Sequence, residues 1–175
     1  MMRFDELIRA RRSVRGYEAA PTREDLVKIL ETAKQAPSWK NWQTARSYVV
    51  ESAEALEKVR EALPGFNQNS SRNAALIVTT FVKDTVGFTN GAPDNEVGNG
   101  WGAYDLGLRD AYLVLAAADL GYDTLIMGLR DADALRRTLD IPEGEQVMSV
   151  IAVGKRAKAP VDKPRKALAD TARFY

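Results

Sequence analysis

The sequence predicts a single layered domain, residues 1–175, in which helices and strands mix. Three observations predict it. Apolar residues recur at helical spacing in several segments. Short β-branched runs, above all ALIVTTFV at residues 75–82, carry a strand signature. No internal repeat, linker or low-complexity tract divides the 175 residues, a length that buries a core without metals or disulfides.

Phe4, Leu7 and Ile8 give a short helix over about residues 3–11, running into an arginine-rich stretch. Pro21-Thr22 opens a second helix. Thr22 and Asp25 stand in capping-box spacing, Leu26, Ile29, Leu30 and Ala33 share one face, and Pro37 ends the segment. After the loop PSWKNWQTAR, residues 47–51 read as a strand. Residues 53–63 read as a helix with Leu56, Val59 and Leu63 inward, stopped by Pro64-Gly65. Residues 75–82 suit a buried central strand. The Gly-, Asn- and Asp-rich residues 83–100 read as a long loop, functional or mobile, with a lid as the natural role.

Residues 101–120 form the longest helical pattern, apolar on most of its surface and therefore buried on several sides. A short strand (124–127), a helix capped by Asp131 with Leu135 and Leu139 inward, and a strand over 146–153 follow. Residues 155–175 are a basic, proline-containing tail ending in ARFY.

Two absences narrow the chemistry. Without cysteine there is no disulfide, thiolate nucleophile or cysteine-bound metal; without histidine the commonest general base and metal ligand are missing too. Difficult chemistry then falls to carboxylates, Lys, Tyr or a borrowed cofactor, and a cofactor is favoured. No metal site and no catalytic side chain is expected. With 25 basic and 24 acidic side chains, net +1, no global field draws nucleic acid or an anionic membrane. The N-terminus lacks the apolar core of a secretory signal, and no apolar run approaches the ~20 residues that span a bilayer, so a cytoplasmic protein is expected.

Arg11, Arg12 and Arg15 surround Ser13. Cations at a helix C-terminus offset its dipole, so a solvated helix end is one reading. An anion site is the other, because guanidinium forks match phosphate oxygens and the Ser13 hydroxyl adds a hydrogen bond.

RRSVRGY, the later APSWKNWQTARSYVV, then NSSRNAALIVTTF, DLGYDTLIMGL and KPRKAL, in that order and spacing, resemble the nitroreductase family of FMN-dependent oxidoreductases over nearly the whole chain. The resemblance implies an α+β fold, a central mixed β-sheet flanked by helices, with the C-terminal tail extending onto the partner of a homodimer. It implies one FMN per subunit at the interface and NADH or NADPH as cosubstrate. Hydride would pass to the flavin, and nicotinamide would then leave for an electron-poor acceptor such as a nitroaromatic or quinone.

By the same resemblance Arg11, Ser13 and Arg15 hold the phosphate, ribityl chain and pyrimidine edge, with Arg12 as a backbone or side-chain contact. Arg15 lies at the ring, where a fixed cation stabilises the reduced flavin, and Arg11 lies nearer the phosphate. Lys163 and Arg165 match positions that close over the phosphate; a solvated basic tail is the competing reading. Pro37, Ser38, Trp39 and Asn41 correspond to the loop that reaches the partner's flavin, against a reading as a helix stop with buried aromatics. Asn67 matches a side chain facing flavin and nicotinamide. Met127 and Gly128 match the segment whose backbone N–H lies near flavin N5, although Gly128 could simply end a strand. Trp42 and Trp101 are left unassigned. After Gln43 many relatives carry Pro-Trp where this chain has Thr44-Ala45, a departure that bears on loop packing and substrate preference. A low-turnover flavin store or sensor is the alternative function. A nucleic-acid module using the basic ends is a weaker rival.

Overall fold

The computed structural model describes residues 3–175. Helix α1 (Phe4–Ala10) precedes strand β1 (Tyr17–Ala19) and helix α2 (Arg23–Ala33). A 3-10 turn (Trp39–Asn41) leads into strand β2 (Ala45–Val50), helices α3 (Ala53–Glu61) and α4 (Gly65–Ser70), and strand β3 (Ala75–Val82). Short strands β4 (Phe88–Thr89) and β5 (Ala92–Pro93) come before the long helix α5 (Gly100–Asp119). Strand β6 (Asp123–Met127), helix α6 (Ala132–Leu139), strand β7 (Glu145–Arg156) and helix α7 (Leu168–Thr171) complete the order.

Local chemistry starts the helices where the sequence places them. Thr22 Oγ1 accepts from the Asp25 amide at 3.2 Å, Ser52 Oγ from Ala55 at 3.3 Å, and Asp131 Oδ1 from Ala134 at 2.9 Å. Helix α2 stops at Ala33, before Pro37, because residues 34–36 already turn away.

Strand β7 is the spine of the sheet, paired with β3, β6 and β1, while β2 forms the edge beyond β3. Every ladder is antiparallel. The mixed character expected of the sheet reduces to one parallel bridge, Ser13 to Thr124, which seats the arginine segment beside β6. Alternation along β3 feeds two cores. Leu76 and Val78 face one cluster with α3 and α6, whereas Ala75 and Ile77 face another with Leu26, Ile29 and Leu113 of α2 and α5. With both faces covered, β3 reads as a continuous apolar run. Helix α5 approaches the sheet closely at Gly102, where a Cβ would come within 2.4 Å of the Phe81 ring.

Two expectations are corrected, and one strand is added. Residues 83–100 contain a short hairpin, Phe88–Thr89 with Ala92–Pro93, rather than an unstructured loop. Asp84 and Asn99 exchange hydrogen bonds at its base (2.7 and 2.8 Å), and Asn90-Gly91, both at positive φ (52° and 78°), make its turn. Pro64-Gly65 begins α4 as well as ending α3. The three residues of β1 are too few to show alternation in sequence. Among the described residues no helix is long and apolar enough to cross a membrane.

Candidate functional site

The arginine segment is fixed by its backbone. The Val14 amide donates to Thr124 O at 3.0 Å, Tyr17 OH donates to Val14 O at 2.9 Å, and Asn73 Nδ2 donates to Tyr17 O at 3.1 Å. This anchors Ser13 and Val14 at Thr124 near the start of β6 and carries the chain on to pair Tyr17 with Arg156 of β7, while Met127 and Gly128 lie at the other end of β6. Asn67 on α4 reaches the same end, donating from Nδ2 to the Leu129 carbonyl at 3.4 Å. It is buried there.

The tail returns to the arginines. Arg12 Nε pairs with Asp162 Oδ1 at 3.0 Å, and its Nη1 donates to the carbonyls of Arg11 (2.9 Å) and Arg9. The Arg12 guanidinium is thus engaged in holding the tail. Burial, followed by the charges of Arg12 and Arg165, pushes the Arg11 guanidinium below its ordinary pKa. Lys163 contributes its carbonyl to Arg165 Nη1 at 2.9 Å. Among the described residues Arg11, Arg15 and Arg165 have no carboxylate partner within ion-pair distance. Arg11 and Arg165, which repel each other and which no carboxylate pairs among the described residues, suit an oxyanion. At the C-terminal end of β6 Gly128 is exposed, and a Cβ built there meets nothing within 4 Å.

Residues 37–41 lie elsewhere. Ser38 Oγ accepts from the Gln43 amide at 3.1 Å, and the Trp39 amide donates to Asp105 Oδ2 at 2.9 Å. The Trp39 ring packs edge-on against Trp101, centroids 4.6 Å apart, so the indole sits in an aromatic cluster with Tyr104 nearby. Behind this loop lies a cleft of about 390 Å³, with Pro37, Ser38, Ser47, Asp105 and Arg109 among its walls. Arg109 Nη1 donates to Ser47 Oγ at 2.7 Å. Among the described residues no hydrogen bond joins residues 37–41 to the arginine segment, to Asn67 or to residues 127–128. The structure therefore places the sequence-derived residues in three sets: the arginine segment with the tail, Asn67 with the end of β6, and the loop 37–41.

Asp105 and Trp101 are functional candidates that sequence reasoning missed or left unassigned. The available signal was the pair of acidic residues, Asp105 and Asp110, inside the most apolar helix. A buried charge in such a helix needs a specific partner.

Residues 8–155 match the model of the Nitroreductase family. A protein of Archaeoglobus fulgidus bearing the name NADH dehydrogenase/NAD(P)H nitroreductase is 31% identical over 159 residues, 85% of this chain and 83% of that one. A shorter alignment, 80 residues at 36% identity, joins the chain to a Bacillus subtilis protein named as an NAD(P)H nitroreductase, covering 45% of this chain and 38% of the relative. The crystal structure of an oxidoreductase containing FMN superposes with a TM-score of 0.84 at 27% identity, over 99% of this chain and 94% of that one. A nitroreductase family protein from Clostridium novyi NT superposes at 0.77 with 26% identity, over 89% and 87% of the two chains.

Proposed function

The chain belongs to the nitroreductase family, and from that premise we propose that it is an FMN-dependent NAD(P)H oxidoreductase acting as a homodimer. Its acceptors are nitroaromatics, quinones or similar electron-poor molecules, reduced in ping-pong order. The observation that carries this reading is the gathering of Arg11, Arg12 and Arg165 next to the bridge from Ser13 to Thr124, with Arg11 and Arg165 lacking carboxylate partners among the described residues. The donor set fits FMN, a planar ring ending in a dianionic phosphate. The names of the relatives and the FMN-containing neighbour agree with it.

FMN, when bound, supplies the two-electron carrier between NAD(P)H and the acceptor. The chain's own residues do the rest. Arg11 and Arg165 hold the phosphate, while Arg12, locked to Asp162, closes the tail over it. Ser13 supplies a hydroxyl to the ribityl chain. Arg15 would place a guanidinium cation where it lowers the energy of negative charge on the ring. Gly128 lets the ring approach the backbone, and buried Asn67 fixes the adjoining carbonyl of Leu129. None of these groups has to gain or lose a proton, in keeping with a site that has no histidine or cysteine.

Two features support the homodimer. Residues 37–41, the proposed contact to the partner's flavin, make no hydrogen bond to the arginine group of their own chain, so a second copy completes the site. Phe4 and Ile8 on α1 and Tyr104 and Tyr112 on α5 are exposed apolar side chains, and the tail leaves Phe174 and Tyr175 uncovered. The decisive experiment is a visible spectrum of the purified protein, followed by anaerobic addition of NADH or NADPH. A yellow protein bleached by one or both supports the reading, and the faster nucleotide is the preferred one. Colourless protein that takes up no added FMN overturns it, and yellow protein that neither nucleotide bleaches is instead a low-turnover flavin binder.

A further inference from the structure

Residues 38–43 are an unusual piece of backbone. Lys40, Asn41 and Gln43 all adopt positive φ (48°, 57° and 50°), a region that side chains other than glycine's mostly avoid. Hydrogen bonds within the loop close it on itself: Asn41 N to Ser38 O and Trp42 N to Trp39 O, both 3.0 Å, and Gln43 N to Ser38 Oγ at 3.1 Å. None of these orients the loop against the rest of the molecule.

Arg46 of β2 donates from Nη1 to the Gln43 carbonyl at 2.8 Å at the loop's exit, and the loop's entry is tethered through Trp39, held at two points by α5. Its amide donates to Asp105 Oδ2 at 2.9 Å, and its ring meets Trp101 edge-on at 4.6 Å. Trp101 and Asp105 are four residues apart, so they stand one above the other on the same helix face. Trp101 is itself fixed, donating from Nε1 to Asn95 Oδ1 at 2.9 Å in the hairpin segment. Asp105 is only 5% exposed, and burial pushes its carboxyl above the ordinary range against the opposing pull of the Trp39 amide. Keeping a carboxylate there is costly unless its one backbone partner matters.

We propose that Asp105 is a positioning residue for the flavin-contacting loop, holding the Trp39 amide while Trp101 holds the ring, so that Ser38 and Asn41 are presented to the partner's FMN. This rests on the reading that residues 37–41 contact FMN. Asp105 touches neither cofactor nor substrate; it acts through Trp39.

The test compares Asp105→Ala, Asp105→Asn and Trp101→Leu in the full-length protein, reading FMN affinity by flavin fluorescence and hydrogen exchange at the Trp39 amide. Asn keeps an acceptor oxygen for Trp39, whereas Ala removes it. Asp105→Ala should weaken FMN binding about tenfold, the scale of a lost charge-assisted hydrogen bond, and Trp101→Leu should weaken it about threefold or more through the lost ring contact, while Asp105→Asn stays within about threefold of the parent. In the Ala variant the Trp39 amide should exchange faster, with protection in β3 and β7 unchanged. Two results overturn the proposal: Asp105→Ala binding FMN like the parent, or Asp105→Asn failing as badly as Ala. If the Ala variant does not fold, Trp101→Leu and the Asn rescue decide alone. Should the parent bind no FMN, the functional reading falls, and Trp39 exchange still reports whether Asp105 sets the loop.

Discussion

Asp110 lies on the core side of α5, 8% exposed. Its Oδ2 accepts from Thr79 Oγ1 at 3.3 Å, Thr79 Oγ1 in turn meets Ser149 Oγ at 2.9 Å, and Oδ1 has no partner. Burial pushes its pKa from 3.8 up to about 6, opposed by the charge of Arg109 and the Thr79 hydroxyl. The native state therefore holds this proton more tightly than the unfolded chain does. Stability contributed by the protonated form is complete below the unfolded pKa and is lost as pH rises through the folded one. A shift of about two units corresponds to about 3 kcal/mol, so near pH 8 the ionised carboxylate costs the fold roughly that much. Replacing Asp110 with Asn keeps the shape, offers Thr79 an amide and removes the charge. In urea unfolding at fixed protein concentration, Asp110→Asn should exceed the parent by about 3 kcal/mol near pH 8 and by about half that near pH 5. A difference independent of pH, or an Asn variant weaker at the higher pH, refutes the reasoning.

The remaining predictions concern the cradle and the helix that backs the loop. Arg11→Ala should weaken FMN retention by about tenfold or more, measured by equilibrium dialysis, because a charge-assisted phosphate contact is lost. Arg15→Ala should weaken retention and also make the flavin potential more negative; unchanged values for both remove Arg15 from the ring. Gly102→Ala should lower stability by about 1–3 kcal/mol in thermal or urea unfolding, since its new methyl meets the Phe81 ring at 2.4 Å.

Much of the fold is legible in sequence where a single physical rule decides. Residues 75–82 are a β-branched run and become β3 without a residue's error, and Thr22, Ser52 and Asp131 cap helices through their own side chains. Strand β1 and helix α4 are not legible, because three residues show no period and Pro64-Gly65 marks a stop and a start alike. The hairpin is hidden by composition: its polar residues read as loop, although Asn90-Gly91 is a turn signal. In the candidate site, the return of Arg165 to Arg11 follows from the motif order. Asp162 as the tether for Arg12, and Asp105 as the tether for Trp39, depend on long-range contacts that no local pattern encodes.

Helix α5 links these observations, because side chains three and four residues apart share a face. Gly102, Asp110 and Leu113 face the sheet, with buried Leu106 between them in the helical spacing, whereas Trp101, Asp105 and Arg109 face the loop and β2. The close approach at Gly102 and the bond from Thr79 to Asp110 set the rotation of the helix about its own axis. That rotation in turn sets where Trp101 and Asp105 meet Trp39. A core substitution that turns the helix must therefore move the loop, and one that preserves its shape must not. Gly102→Ala should weaken FMN binding together with stability, while Asp110→Asn, isosteric and equally well seated, should change the pH dependence of unfolding and leave FMN affinity where it was. Equal FMN affinity in both variants would separate the loop from the core and leave Asp105 and Trp101 to hold Trp39 from a helix free to turn.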